Sequence, residues 1–335
     1  MNKLTKITLL IAVILCIAGG VFFGAGIASN GLHFLAETDL DTMEPAKDGP
    51  GKKYEMKKTE IDHFSSIKGN LDYMDLRILP SNDSSCYLSY KIYGSAKKNP
   101  FEYQVKDGVL RLKESDSGQS FNIHVDFNFI FRLLLRTVND ADVFDYDNTA
   151  ILYIPAETKL AAADITLEDG DLSIEQMNSD SMSLKLTYGD FTLKNVTATE
   201  GAITLEDGDL TIKNLRARSL ITTQTYGDIS IDDSSLTDAS FQIDDGDISV
   251  DHTEFHGSSD FHLVYGDASF HLTSEQLNAL NLQLSTSYGD ITVPKHTGGN
   301  TIGYNDNDLT RYEKDGTNPD STLTVNCEDG DITFR

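Results

Sequence analysis

Apolar and polar residues alternate along the C-terminal half of the chain with a period of two, and Gly-Asp pairs interrupt the alternation at regular intervals. Successive pairs are 19, 19, 19, 19, 20, 23 and 41 residues apart. The alternation continues on both sides of each pair, which predicts two β-strands per repeat. The glycines of the pairs are Gly170, Gly189, Gly208, Gly227, Gly246, Gly266, Gly289 and Gly330.

The apolar positions change parity at each glycine. Before Gly208, apolar residues stand three and five positions back, at Leu205 and Ile203; after it they stand two and four positions on, at Leu210 and Ile212. A straight strand would turn one of these sets to solvent, so the chain must bend or bulge at the glycine. Glycine suits such a corner because it adopts positive φ without strain. Each repeat is therefore strand, glycine corner, strand and return.

Repeats of this size bury their apolar faces only by stacking on one another. The sequence predicts an all-β fold, a single-stranded, β-helix-like β-solenoid of about nine coils over residues 161–335, counting one degenerate corner at Asn307. Residues 60–160 are predicted to be the N-terminal β region of the same domain. A propeller is the alternative, because corners of the type EDGD and TYGD alternate and give a doublet period of 38 residues.

The N-terminus carries an uncharged apolar run, Ile7–Ala28, that follows two lysines. Such a run is long enough to cross a bilayer as a helix, and the basic flank places the N-terminus inside. We expect residues 1–28 to be a transmembrane anchor, residues 29–59 a tether, and the rest an extracellular domain of a single-pass cell-membrane protein. A removed signal peptide is the alternative, because Gly26-Ile27-Ala28 fits a cleavage site.

Charge and cysteine content narrow the function classes. The formal net charge of −26 excludes a broad nucleic-acid surface and favours cations or basic partners. Cys86 and Cys327 are the two cysteines outside the apolar run, and no zinc-site or disulfide-framework spacing occurs. We expect two packed free thiols.

Stacked coils would place the corner aspartates in one column with a spacing of about 4.8 Å. Oxygen ligands at this spacing suit Ca²⁺. The structural alternative is that each carboxylate caps its own turn by accepting backbone N–H groups. The members of the predicted column are Asp171, Asp190, Asp209, Asp228, Asp247, Asp267, Asp290, Asp308 and Asp331.

Tyr188, Tyr226, Tyr265 and Tyr288 occupy the position before the glycine where other coils carry aspartate. Alternation of Tyr with Asp separates like charges, which is a structural reason for the pattern. An exposed tyrosine row would also stack on sugar rings, which makes these residues candidate ligand-stacking residues. His252, His256, His262 and His271 cluster over two repeats, and solvated side chains explain them better than a metal site does.

The combination of an N-terminal helix, the step Ile154-Pro155 and serial Gly-Asp-Ile/Leu strands resembles the bacterial β-strand-repeat family called putative adhesins, over roughly residues 60–335. The resemblance implies a surface or envelope-associated solenoid of Gram-positive-type bacteria with membrane-protein partners and a role in envelope stress. It supplies no catalytic residues.

Three function classes remain. The first is a non-enzymatic membrane-anchored surface protein acting in recognition or envelope-stress signalling; the second is a Ca²⁺-binding structural rod; the third is a glycan-active β-helix enzyme. The corner carboxylates recur in every repeat, which marks them as architecture rather than as one active site. We expect no cofactor. The chain ends at Arg335 directly after an apparently complete strand, so we expect the C-terminal coil to be a free docking edge for a second copy or an envelope partner; the alternative is that charges and twist alone keep this end single.

Overall fold

The computed structural model describes residues 52–94, 98–114, 148–303 and 309–335, together with the pairs 38–39 and 44–45. The chain divides into two compact units, Met1–Lys53 with Gly94–Asn99, and Tyr54–Tyr93 with Pro100–Arg335. In the first unit, two short strands pair antiparallel. The predicted anchor Ile7–Ala28 lies outside the described residues. Within the described ranges, no helix is both long and apolar enough to span a bilayer.

The described chain is almost entirely β-structure. The strands up to residue 155 are β1 (Thr38–Asp39), β2 (Glu44–Pro45), β3 (Lys52–Ile61), β4 (Ser66–Leu71), β5 (Asp75–Ser81), β6 (Cys86–Gly94), β7 (Phe101–Lys106), β8 (Val109–Glu114) and β9 (Thr149–Pro155). The strands of the Gly-Asp repeats up to residue 271 are β10 (Lys159–Asp169), β11 (Leu172–Ile174), β12 (Met177–Tyr188), β13 (Phe191–Lys194), β14 (Val196–Asp207), β15 (Leu210–Lys213), β16 (Arg216–Tyr226), β17 (Ile229–Asp232), β18 (Ser235–Thr237), β19 (Ala239–Asp245), β20 (Ile248–Asp251), β21 (Glu254–His256), β22 (Ser258–Tyr265) and β23 (Ala268–His271).

The elements that follow are helix α1 (Ser274–Ala279), β24 (Asn281–Tyr288), β25 (Ile291–Thr292), the 3-10 turn Lys295–Thr297, β26 (Asn300–Gly303), β27 (Thr310–Lys314), β28 (Thr322–Asp329) and β29 (Ile332–Phe334). Part of the predicted tether, residues 52–59, belongs to β3.

Each coil contributes one strand to each of two long sheets. Sheet I has 15 strands, and its main path is β26-β27-β24-β28-β22-β19-β16-β14-β12-β10-β4-β8-β7; sheet II has 12 strands in the order β25-β29-β23-β20-β17-β15-β13-β11-β5-β9-β6-β3. The Gly-Asp corner leads from the sheet I strand into the sheet II strand, and successive coils pair in parallel with matched registers. The strands of residues 66–81 and 109–155 extend the same two sheets. A solenoid therefore forms, and the propeller alternative is wrong, because its blades would be separate sheets.

The stack departs from chain order at both ends. Strands β28 and β29 lie between the coil of β22 and β23 and the coil of β24 and β25. Likewise, the coil of β4 and β5 lies between the coil of β10 and β11 and the coil of β8 and β9. The expectation that the C-terminal coil is the free end is thus wrong, since both of its strands already have a partner on each side.

Antiparallel strands cover the ends of sheet I. At one end β27 pairs antiparallel with β24, and β26 with β27; at the other end β7 pairs antiparallel with β8. This arrangement corrects the predicted ninth coil at Asn307, because the chain before and after that segment forms an antiparallel pair within one sheet. The polar Arg311, at the position where other repeats are apolar, is consistent with that difference. Residues 304–308 themselves lie outside the described residues.

The predicted inward positions form the core. Leu205 and Ile203 before Gly208, and Leu210 and Ile212 after it, are all at most 1% exposed. The buried residues of both sheets belong to one hydrophobic cluster, in which Phe270 of β23 stacks on Phe334 of β29 at 4.7 Å between ring centroids. The parity change at the corner is therefore confirmed.

The corner glycines are required for two reasons. Gly208 has φ +142°, where side chains are strained, and a Cβ there would lie 1.9 Å from the carbonyl oxygen of Gly189 in the neighbouring coil. Gly289 lacks the positive φ, yet its Cβ would lie 2.1 Å from the Gly330 oxygen. Close approach of stacked backbones thus requires glycine even where φ does not.

Candidate functional site

The aspartates after the corner glycines form a continuous hydrogen-bonded ladder. The backbone N–H of each aspartate after the first donates to Oδ1 of the aspartate in the preceding coil of the stack, with N···O distances between 2.7 and 3.0 Å. In stack order the ladder is Asp75, Asp171, Asp190, Asp209, Asp228, Asp247, Asp267, Asp331 and Asp290.

This aspartate ladder modifies both sequence interpretations of the column. Each carboxylate that accepts a bond in the ladder caps a turn, but the turn belongs to the next coil and not to its own. One oxygen of each carboxylate except that of Asp290 is therefore already an acceptor. Asp308 lies outside the described residues. Calcium binding by the column stays a prediction; within the described part of the chain, groups of three or more candidate metal ligands close together occur only at Asp232, Asp233 and His252.

The residues before the corner glycines form a second column, in which tyrosine and aspartate alternate strictly. The registers place Tyr188, Tyr226 and Tyr265 each between aspartates of the two neighbouring coils, and Tyr288 beside one aspartate at the end of the column. The alternation persists because the C-terminal coil places Asp329 between Tyr265 and Tyr288. We call this set the Tyr–Asp column; its members in stack order are Tyr73, Asp169, Tyr188, Asp207, Tyr226, Asp245, Tyr265, Asp329 and Tyr288.

Tyr73 and Asp75 belong to these columns, although the repeat pattern did not reveal them. The pairs Leu71↔Leu167 and Leu76↔Leu172 share one register offset, which places Tyr73 beside Asp169. Met74 occupies the glycine position, so a search for Gly-Asp passes over this coil. The weaker signal, Asp75-Leu76 with an apolar residue two positions later, is present in the sequence.

The tyrosine side chains of the column are among the large hydrophobic residues most exposed to solvent. Their relative exposures range from 39% for Tyr188 to 64% for Tyr288, with Tyr73, Tyr226 and Tyr265 between these values. Tyrosines two coils apart are separated by about 9.6 Å. The predicted tyrosine row is thus assembled and accessible, between acidic residues of the same column and the aspartate ladder.

A buried carboxylate anchors one end of this edge. Oε2 of Glu114, on β8, accepts the backbone N–H groups of Asp72 and Tyr73 at 2.9 and 2.8 Å. Burial raises the pKa of Glu114, and the two N–H donors partly oppose that rise. Glu114 therefore supports the backbone that carries the first tyrosine of the column.

The histidines predicted as one group occupy separate places. His252 and His271 lie together, with ring centroids 5.2 Å apart. His262 faces Glu328 of the C-terminal coil at 3.9 Å, and His256 faces its own strand's Glu254 at 3.6 Å. Only the first two share a surface with the carboxylates Asp232 and Asp251.

The two cysteines outside the apolar run are free and buried, as predicted. Burial raises the pKa of Cys327 to about 12 and also raises that of Cys86. Both thiols therefore stay protonated at neutral pH and are poor nucleophiles.

Comparisons with known proteins agree with this architecture. The sequence matches the family described as Toastrack DUF4097 over residues 64–335. No curated protein matches the chain.

Several solved structures resemble the chain at low identity. A putative cell adhesion protein from Clostridium sporogenes is 12% identical, with 85% of this chain and 98% of that chain covered and a TM-score of 0.29. A putative adhesin from Bacteroides fragilis is 13% identical, with 85% and 97% covered and a TM-score of 0.37. A putative lipid binding protein from Parabacteroides distasonis is 14% identical, with 84% and 96% covered and a TM-score of 0.35.

At these identities and TM-scores, the structural resemblances do not bear on function. The family match is different, because it covers well over half of the chain and the complete solenoid of residues 66–334. The resemblance to the adhesin-like β-strand-repeat family is thereby confirmed, and the chain belongs to the Toastrack DUF4097 family.

Proposed function

We propose that this chain is a non-enzymatic, membrane-anchored recognition protein of the bacterial cell surface, and that it binds its ligand along the Tyr–Asp column. The observation that carries the proposal is the row of five tyrosines, 39–64% exposed, at two-coil intervals on one edge. Exposed apolar surface rimmed by polar residues marks binding sites on proteins, and tyrosine presents both an apolar face and a hydroxyl.

The ligand that fits this row is a neutral glycan. A flat ring every ~9.6 Å offers repeated stacking positions, at a spacing comparable to a disaccharide of an extended polysaccharide. The carboxylates of Asp207 and Asp245, between the rings, can accept hydrogen bonds from sugar hydroxyls. They also repel anionic polymers, so a neutral glycan is favoured over an anionic one.

The repetition of the edge supports a role without catalysis. The inner coils of the aspartate ladder present the same carboxylate in the same hydrogen bond, so none of these carboxylates is distinguished as a general acid or a nucleophile. A periodic surface suits multivalent binding, in which several weak contacts act together.

Binding of the full-length protein to an immobilised neutral β-glucan tests the proposal. The double variant Tyr226→Ser with Tyr265→Ser removes two stacking rings worth about 0.5–1.5 kcal/mol each, which weakens binding by about 5- to 150-fold. The control is Tyr103→Ser, a 37% exposed tyrosine on β7 outside the column. Equal binding by the wild type, the double variant and the Tyr103→Ser control would overturn the glycan proposal.

A basic protein partner is the outcome to be separated from a glycan. Asp207→Asn with Asp245→Asn would abolish binding of such a partner, and the affinity would fall steeply with salt. Loss of binding in this variant, with full binding in the tyrosine variant, would contradict the stacking proposal.

The membrane anchor and the outer location are further parts of the proposal, supported by the run Ile7–Ala28 and its basic flank. Protease added to wall-stripped cells is expected to remove the region after residue 29. Complete protection of that region would refute the surface location.

A further inference from the structure

Each sheet II strand begins at a Gly-Asp corner, and a second kind of corner follows directly after the end of the strand. Asn195, Asn214, Asp233 and His252 occupy equivalent positions in successive coils, and all have φ between 47° and 54°. In the first two coils an amide ladder forms, in which Asn214 Nδ2 donates to Asn195 Oδ1 at 2.7 Å. The amide ladder ends there, and an acid and an imidazole take its place.

The residues that end the sheet II strands next to this corner are a lysine, two aspartates and a histidine. Lys213, Asp232, Asp251 and His271 are register neighbours on four successive coils. Two adjacent carboxylates in register, Asp232 and Asp251, repel one another unless a cation lies nearby.

The fixed positive charge at this place comes from Lys213. Its Nζ lies 2.8 Å from Asp232 Oδ2 and 3.7 Å from Asp233 Oδ2. It holds the pKa of the Asp232 carboxyl below the usual range, so that this group is ionised at neutral pH. Three carboxylates, of Asp232, Asp233 and Asp251, thus face one ammonium group and two imidazoles.

We propose that Asp232, Asp233 and His252 bind a divalent transition-metal ion of the Zn²⁺ class. One ligand atom from each of the three lies within 4.8 Å of the others, and His252 Nδ1 is 3.8 Å from Asp232 Oδ1. Two carboxylate oxygens and one imidazole nitrogen are the ligand types of Zn²⁺ and its neighbours, whereas Ca²⁺ takes oxygen alone.

A second imidazole stands beside the site. His271 Nδ1 lies 3.2 Å from Asp251 Oδ1, a contact that favours the tautomer with the proton on Nδ1 and the lone pair on Nε2. The ring centroid of His271 is 5.2 Å from that of His252. The Asp251–His271 pair is therefore placed to orient His252 or to supply a further ligand.

The geometry makes Lys213 a competitor of the metal, because its ammonium group already contacts both carboxylates. Removal of Lys213 should therefore tighten metal binding, while removal of His252 should weaken it. These opposite effects of substitutions at Lys213 and His252 distinguish a specific site from nonspecific attraction of the metal ion to a chain of net charge −26. Nonspecific attraction would respond only to the change in charge.

The experiment is calorimetric titration of the full-length protein with Zn²⁺ at pH 7.5. His252→Asn and Asp233→Asn restore the residue that earlier coils carry at this corner, so the corner conformation is retained. Each should weaken binding about tenfold or more. Lys213→Met should tighten binding, and His262→Asn, which changes a histidine facing the single carboxylate Glu328, is the matched control and should bind as wild type.

Wild-type affinity in His252→Asn, or equal losses in His252→Asn and His262→Asn, would overturn the proposal, as would weaker binding in Lys213→Met.

Discussion

The corner glycines allow a test of what keeps the coils in contact, and Gly208→Ala is the sharpest perturbation. The new Cβ would lie 1.9 Å from the Gly189 oxygen and 2.7 Å from its carbonyl carbon, both backbone atoms of the preceding coil. Neither atom can move without displacing a coil. In addition, φ of +142° strains any side chain.

The two costs add. Backbone strain contributes about 1–3 kcal/mol, and the enforced shift of a packed coil contributes about 1–3 kcal/mol more. We therefore expect Gly208→Ala to lower the free energy of unfolding by about 2–6 kcal/mol, or the melting temperature by about 5–20 °C.

Two other glycines serve as controls that separate the causes. Gly298 has φ +74°, and a Cβ added there would have nothing within 4 Å, so Gly298→Ala isolates the strain of about 1–3 kcal/mol. Gly201 has no positive φ, and its nearest contact is the flexible end of Leu220, so Gly201→Ala should change stability by less than about 1 kcal/mol.

The assay is thermal unfolding followed by far-ultraviolet circular dichroism, with all three variants under the same conditions. The expected order of destabilisation is Gly208→Ala, then Gly298→Ala, then Gly201→Ala. If Gly208→Ala is no less stable than Gly298→Ala, the close approach of stacked carbonyl groups is not what requires glycine at the corners.

Three further predictions concern the ladder, the stack order and the buried carboxylate. Asp209→Ala should lower the free energy of unfolding by about 0.5–1.5 kcal/mol, because the Asp228 N–H loses its acceptor. Asp209→Asn keeps an acceptor oxygen and should lower it by less. Equal losses of stability for the two variants in a denaturant titration would refute the ladder's role. Ser269→Cys with Thr333→Cys should form a disulfide on oxidation, because the two residues are register neighbours. Ser269→Cys with Thr292→Cys should not form one. The opposite result by non-reducing electrophoresis would mean that the coils stack in chain order. The pKa of Glu114 is raised in the folded state, so the native protein binds a proton more tightly than the unfolded chain does, and wild-type stability should fall as pH rises through that pKa. Glu114→Gln should lack this fall when melting is measured as a function of pH. A fall that persists in the variant would show that another group causes it.

The sequence alone predicted the coil but not the order of the coils. Parity around Gly208 required a corner, and stacking followed from the size of the repeat. The order at the C-terminal end depends on a contact between β22 and β28, which are separated by 56 residues that include three other strands of the sheet. One signal was available: in chain order Tyr265 and Tyr288 would be neighbours and break the alternation, and only Asp329 between them restores it.

The side-chain partners at the two edges were harder to predict. The carboxylate of Asp190 was expected either to bind calcium or to cap its own turn, yet it accepts the N–H of Asp209 in the next coil. That partner is defined only by the register between coils. Likewise, His252 and His262 look equivalent in the sequence, but His252 lies in the corner after β20, whereas His262 lies in strand β22 of sheet I, and the two face different acids.

Recognition of a ligand through the Tyr–Asp column is tested most directly by photo-crosslinking in intact cells, which does not require that the ligand be identified first. A benzophenone side chain would replace Tyr226 on the column or, in a separate variant, Tyr103 on β7, and adducts of the full-length protein would be detected by their shift in electrophoresis. We predict adducts at Tyr226 and none at Tyr103; adducts at Tyr103 alone, or equal adducts at both positions, would contradict recognition through the column.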